Sequence, residues 1–259
     1  MTNQSTAYQE SVRPVLFESE LESHPYGGLG TSILVWNSGT YFWVTARHVI
    51  AKQKQSLESL RIFPTDTSRF SLPFNALCEI HSPDLAEDFT DLYILQVDLS
   101  SFISAGDAPL TAQDLATGTL CPDKLKSGDE LLVVGYPEDS RSIDYDRFKI
   151  RYRREAFAAE YRGPSVEQHC HELKIQDNSR LSSYNGLSGS PVFRMVTQGP
   201  YVFPMLAGIL LRGTVGSHTG FFVGADVVAH ATKLSTLTDA TQLCGQTDLG
   251  DKAQQGRLP

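Results

Sequence analysis

The sequence has no run approaching ~20 consecutive apolar residues, the length a helix needs to cross a bilayer, so no membrane partner is expected. Its first ten residues, Met1 to Glu10, lack the basic and then apolar regions of a secretory signal, which leads to the expectation of a cytoplasmic protein. Basic residues are outnumbered, 22 Lys and Arg against 30 Asp and Glu, for a net charge of -8. Phosphate backbones and anionic lipids are held by clustered cations, so no nucleic-acid partner is expected. Cysteine is scarce: Cys78, Cys121, Cys170 and Cys244 are widely spaced and form no C-x-x-C pair. Reduced thiols are the favoured reading, with two disulfides as the alternative.

What is present suits an ordinary globular chain, 41% hydrophobic and 20% charged over 259 residues. From Gly30 onward the pattern is one of short strands. Thr31 to Trp36 and Tyr41 to Val44 are rich in β-branched and aromatic residues, with Asn37-Ser38-Gly39 as the turn between them. Further strands are predicted at 58–63, 72–80, 91–97, 130–135, 147–153, 171–176, 191–195, 203–212 and 219–223, so the fold class is all-β. Residues 100–129 carry Gly and Pro with little periodicity and read as the join between two halves. Asp226 is placed to cap a terminal helix with Val227, Val228, Ala231 and Leu234 on one face. The expected layout is a flexible lead over 1–14 and a β unit over 15–112, then a connector over 113–127 and a second β unit over 128–224. A helix over 225–240 and a polar tail over 241–259 complete it.

Three places carry chemistry. In Asn185-Gly186-Leu187-Ser188-Gly189-Ser190-Pro191 a serine sits between glycines, which suits an exposed nucleophile and, as the lesser reading, a β-turn entering the strand at Pro191. In the second case Gly186 lets the chain turn so that the N–H groups of Gly186 and Ser188 face a developing oxyanion. A serine nucleophile needs a base and an orienting acid. His48 follows the apolar strand Val44-Thr45-Ala46, and Asp91 opens the apolar strand Asp91-Leu92-Tyr93-Ile94-Leu95. Asp84 and Asp88 are rival orienters. Asp91 is preferred because it leads straight into a core strand.

Taken together, these residues resemble the trypsin/chymotrypsin superfamily. Thr45-Ala46-Arg47-His48 is similar to that family's Thr-Ala-x-His, and Asp91-Leu92-Tyr93-Ile94-Leu95 to its Asp-Leu-Ala-Leu-Leu. Gly186-Leu187-Ser188-Gly189-Ser190-Pro191 is similar to its Gly-Asp-Ser-Gly-Gly-Pro. The order His, Asp, Ser is also the chymotrypsin-type order. Gly128 to Pro137 and Ala207 to Gly213 resemble the strands that open the second barrel and line the substrate pocket. The resemblance implies two six-stranded antiparallel β-barrels, the first carrying His48 and Asp91 and the second Ser188. It implies a serine endopeptidase acting on a protein or peptide substrate without a cofactor, and it leaves room for a regulatory protein partner.

The departures from the pattern matter as much. Leu187 stands where zymogen-activated members carry Asp, which implies a site that forms without N-terminal cleavage. By the same resemblance the pocket base is Ser182 and its walls are Gly213 and Gly220, which implies room for a large apolar side chain unless Asp177 reaches the pocket. His169-Cys170-His171 places two histidines on one strand face, but no third ligand stands at recognisable spacing, so no metal is expected. Arg141, Arg147, Lys149, Arg151, Arg153, Arg154 and Arg162 read mainly as the wet face of a strand and otherwise as a docking patch for an acidic partner. Two other functions stay open: a binding or scaffold protein that has lost turnover, and an esterase using the same three side chains.

Overall fold

The computed structural model describes residues 8–19, 26–51, 57–66, 68, 70–78, 91–100, 110–144, 149–167, 169–176, 181–234 and 238–239. Asp84, Asp88, Arg147, Asp177, Cys244 and the tail over 241–259 lie outside them. The described part is mostly β-strand, arranged as one eight-stranded sheet, one closed six-stranded barrel and one two-stranded ribbon. None of its helices is long and apolar enough to cross a membrane.

The first sheet is built around β2 (Tyr26–Asn37) and β3 (Thr40–Ala46). Ser38 and Gly39 join them with φ of 50° and 90°, the paired positive values of a two-residue hairpin turn. On one side β3 pairs with β6 (Leu92–Val97), then β5 (Phe74–Cys78), then β16 (Thr238–Asp239). On the other, β2 pairs with β1 (Val12–Glu18), which pairs with β4 (Leu60–Arg61), while β7 (Gln113–Asp114) joins β2 in parallel. Among the described residues the path is open, with β16 and β4 at its ends. No closed six-stranded ring of the kind expected of the first unit is traced among the described residues.

The second unit does close. Its ring runs β11 (Glu155–Pro164), β12 (Cys170–Ile175), β15 (Thr219–Gly224), β14 (Tyr201–Thr214), β13 (Pro191–Gln198) and β8 (Glu130–Gly135). The ribbon β9 (Arg141–Asp144) with β10 (Lys149–Tyr152) stands between β8 and β11 in the chain. Strand pleating sends alternate side chains to opposite faces. On β8, Leu131 and Val133 enter the barrel interior with Phe157, Leu173, Val192 and Phe222. Val134 points outward, as do Phe193 on β13 and Ile209 on β14, and these join Val12, Ile33, Trp43 and Ile94 of the first sheet in a shared core. The barrel therefore has an interior of its own and an outer wall completed by the first sheet.

Several expectations change. The lead over 1–14 is structured from Tyr8: Tyr8, Ser11, Val12 and Arg13 are buried, and the Tyr8 ring meets Phe193 edge-on at 5.1 Å. Strand β11 was not expected. Its Ala156, Ala158 and Ala159 are weak strand formers, and pairing on both sides with β8 and β12 overrides that preference. Helix α1 (Arg47–Ala51) follows β3, and helix α2 (Ala225–Leu234) is the terminal one. α2 ends well before residue 240, because the chain returns at Thr238–Asp239 to pair with β5. Asp226 lies within its first turn rather than before it, where a carboxylate still complements the helix dipole. Asn37 donates to Thr232 Oγ1 at 2.7 Å and ties α2 to the first sheet.

Candidate active site

His48 is set by the pairing of two strands. β3 and β6 run antiparallel with Ala46 opposite Leu92, so the residues just beyond each, on α1 and before β6, meet at one end of the sheet. Asp91 fixes the start of α1 twice. Its carbonyl accepts from the Arg47 N–H at 2.9 Å and its Oδ1 from the His48 N–H at 2.8 Å. Its Oδ2 lies 2.5 Å from His48 Nδ1. A carboxylate only accepts, so Nδ1 carries the ring proton and Nε2 is left as an acceptor. Val49 and Ile50 are buried and hold α1 against the sheet. His48 and Asp91 side chains are 22% and 19% exposed, which leaves the ring a free edge towards the cleft.

That edge meets Ser188, whose Oγ is 2.9 Å from His48 Nε2. With Nε2 an acceptor, the Ser188 hydroxyl donates. The hydroxyl, the imidazole and the carboxylate thus form one line of hydrogen bonds in which a proton can pass from Oγ to the ring while the ring keeps its carboxylate partner. This is the arrangement that activates a serine as a nucleophile.

The loop around Ser188 is shaped for anions. In a trans peptide the carbonyl and the following N–H point in opposite directions. Asn185 O accepts from the Glu138 N–H at 2.8 Å and Leu187 O from the Ser190 N–H at 3.0 Å. The N–H groups of Gly186 and Ser188 are therefore turned away from these bonds, and neither has a partner among the described residues. Both residues line a cleft of about 350 Å³, together with His48, Arg141, Tyr152 and Arg212. Gly186 has φ +85°, and a Cβ there would strike Tyr136 O and come within 2.9 Å of the Glu138 N. Only glycine turns the chain at this point.

Thr31, which nothing in the sequence singles out, holds this loop against the first sheet. Its N–H donates to Ser188 O at 3.0 Å. Its hydroxyl donates to Gly186 O at 2.7 Å and accepts from the Tyr136 N–H at 2.9 Å. A threonine in a strand reads as an ordinary β-former, and only the packing of the two units brings it to the loop. Leu187 is fully buried in the barrel interior, so the loop is anchored there by apolar contact.

The expected pocket residues separate. Gly213 lines the cleft. Ser182, expected at the pocket base, is exposed and bound to Asp139: its N–H donates to Oδ2 at 2.5 Å and its hydroxyl to Oδ1 at 2.8 Å. Those bonds hold the Asp139 carboxyl below its usual range. Gly220 pairs with Gly213 across β14 and β15 but faces the barrel interior, where a Cβ would lie 2.9 Å from Leu173 Cδ1 and Leu210 Cδ1. His169 and His171 do not share a strand face. His169 sits at a turn with φ 62° before β12. His171 is buried, its Nδ1 2.8 Å from Tyr161 Oη and its ring stacked on Phe222, and burial pushes its pKa down. Within the basic stretch Arg141 pairs with Glu138, Arg153 with Glu155 and Arg162 with Glu160. On the cleft rim Arg212 pairs with Glu167 at 3.1 Å and lies over the Phe221 ring.

Set against known proteins, the chain matches no family model, and no curated protein matches it in sequence.

Proposed function

We propose that this chain is a serine endopeptidase of the trypsin/chymotrypsin type, with Ser188 as nucleophile, His48 as general base and Asp91 orienting the ring. The observation that carries the reading is the single line of bonds from Asp91 Oδ2 through His48 to Ser188 Oγ, at 2.5 and 2.9 Å, beside a cleft that Gly186 and Ser188 also line. Ser188 Oγ bonds to the substrate carbonyl carbon as its proton passes to His48 Nε2, and the resulting oxyanion is held by the N–H groups of Gly186 and Ser188. The carbon–nitrogen bond then breaks while His48 returns the proton to the leaving amine, and water completes the cycle by the same route.

A closed barrel carrying Ser188, beside a sheet carrying His48 and Asp91, supports this reading, and the two-barrel architecture is the finer assignment that goes with it. Burial of Leu187 supports a site that forms without N-terminal cleavage. An intact relay disfavours the scaffold reading, since a pure binding protein has no need to hold all three side chains in register.

The test is labelling by a fluorophosphonate probe. Native protein is expected to label and the Ser188→Ala variant to remain unlabelled. Folded native protein that stays unlabelled would overturn the assignment of an activated serine.

A further inference from the structure

Tyr136 stands between the cleft and the start of the chain. It is 5% exposed and lines the cleft beside Gly186 and Ser188. Its main chain reaches their loop in two ways. The N–H donates to the Thr31 hydroxyl, which in turn donates to Gly186 O, and the carbonyl lies where a Cβ on Gly186 would stand. Its side chain reaches elsewhere: the hydroxyl donates to Val12 O at 3.2 Å, 124 residues earlier. Burial pushes the Tyr136 pKa up, against the lowering charges of Arg154 and Arg13, so the hydroxyl keeps the proton it donates.

Val12 is placed by the residues before it. The Tyr8 ring meets Phe193, Arg154 Nη1 donates to Gln9 O, and Ser11 Oγ donates to Tyr8 O at 2.7 Å. Ser11 O accepts from the Leu34 N–H at 2.8 Å. Phe193 lies on β13 of the barrel and Leu34 on β2 of the first sheet, so this short segment bridges the two units whose meeting builds the cleft. No residue from Tyr8 to Val12 lines the cleft itself. Its link to the cleft runs through the Tyr136 hydroxyl.

We propose that Tyr136 is a positioning residue, and that the segment Tyr8–Val12 holds it so that the loop of Gly186 and Ser188 stays set for attack on substrate. The inference rests on Ser188 being the nucleophile. A misplacement of about 1 Å can cost about 100-fold in rate, so a loop loosened by less shows in the rate before the fold fails.

Fluorophosphonate labelling, separated into probe binding and maximal rate, tests this beside thermal unfolding. Tyr136→Phe keeps the ring and loses the bond to Val12. Its maximal rate should fall about 3- to 10-fold, the scale of one hydrogen bond, with probe binding at the native level. Tyr8→Ala, remote from the cleft, should lower the maximal rate in the same way, and Tyr8→Phe should retain it. Val97→Ala removes core volume at the opposite end of β6 from Asp91 and should leave the maximal rate unchanged. A native maximal rate in Tyr136→Phe, or an equal fall in Val97→Ala, would overturn the proposal, whether or not Tyr8→Ala folds. A second measurement needs no nucleophile. The N–H groups of Thr31 and Ser190, bonded to Ser188 O and Leu187 O, should exchange faster in Tyr136→Phe, with Val44 and Ile94 unchanged. Native exchange at Thr31 and Ser190 would refute the positioning role. Faster exchange there in protein that never labels would leave the coupling of segment to loop intact and refute the assignment of Ser188.

Discussion

The two regions that build the cleft place their side chains by different means. In the first sheet, His48 and Asp91 sit at the ends of neighbouring strands, and the register of β3 on β6 brings them together before any other part of the chain is considered. In the barrel, Ser188 lies on a loop whose direction is set from outside, by Thr31 and Glu138 and by Leu187 buried beneath it. A pair placed by strand register is difficult to misplace, because a slip of one residue would turn the whole strand inside out. A loop placed by contacts across a boundary depends on a few polar atoms. Damage to the first region should therefore show in chemistry with the fold intact, and damage to the second in both.

The largest effect expected is at Asp91. Asp91→Asn keeps an oxygen for the His48 N–H but turns an amide NH₂ towards the ring. Nδ1 must then accept, Nε2 carries the proton, and the ring cannot take one from Ser188. Labelling rate should fall by about four orders of magnitude with little loss of stability, measured by stopped-time fluorophosphonate labelling beside thermal unfolding. A loss of fold comparable to the loss of rate would break the contrast between the two regions.

A smaller and different loss is expected at Thr31. Thr31→Val keeps the shape but leaves Gly186 O and the Tyr136 N–H without their partner, at a cost of about 1–3 kcal/mol. Labelling rate should drop about 10- to 100-fold as the loop loosens, the scale of one oxyanion donor or less. Ser190 offers the control in the same loop. Its hydroxyl is buried with no partner among the described residues, so Ser190→Ala removes a desolvation cost of about 1–3 kcal/mol and should not lower stability. Chemical denaturation of the two variants side by side sharpens the comparison, and equal costs would undo it.

The smallest effect separates the regions by acid. Burial against Phe222 and Tyr161 lowers the pKa of His171 from its ordinary 6.5, partly offset by the charges of Asp226 and Asp123 and reinforced by His169. Below that ordinary value the unfolded chain binds a proton that the folded barrel refuses. Stability is thus full above it and declines as pH falls towards the folded pKa. Amide exchange at pH 5.5 should quicken in β11, β12 and β15 before β2 and β3. His171→Gln should remove that part of the pH dependence.

Residues differ in how much of their role is written in their immediate neighbours. His48, Asp91, Ser188 and Gly186 each carry a local signal: a polar residue at a strand end, or a glycine where only glycine turns. Strand β11 carried little, because its alanines are indifferent to strand geometry until neighbours on both sides pair with them. Ser182 and Gly220 were placed by analogy of spacing. A loop of a few residues shifts that spacing without any mark in the sequence, and Ser182 instead found Asp139.

The all-β class, the turn at Ser38-Gly39 and the choice of His48, Asp91 and Ser188 as candidate residues came from the sequence alone. Alternation and positive φ act over a few residues, and each candidate side chain carries a signal in its immediate neighbours. What only the tertiary structure decided were the meetings: Thr31 with the Ser188 loop, Tyr136 with Val12, and the outer face of the barrel with the first sheet. Each joins residues far apart in the chain through close packing. No periodicity records such contacts, because the partners are chosen by shape and hydrogen-bonding capacity once both units are folded.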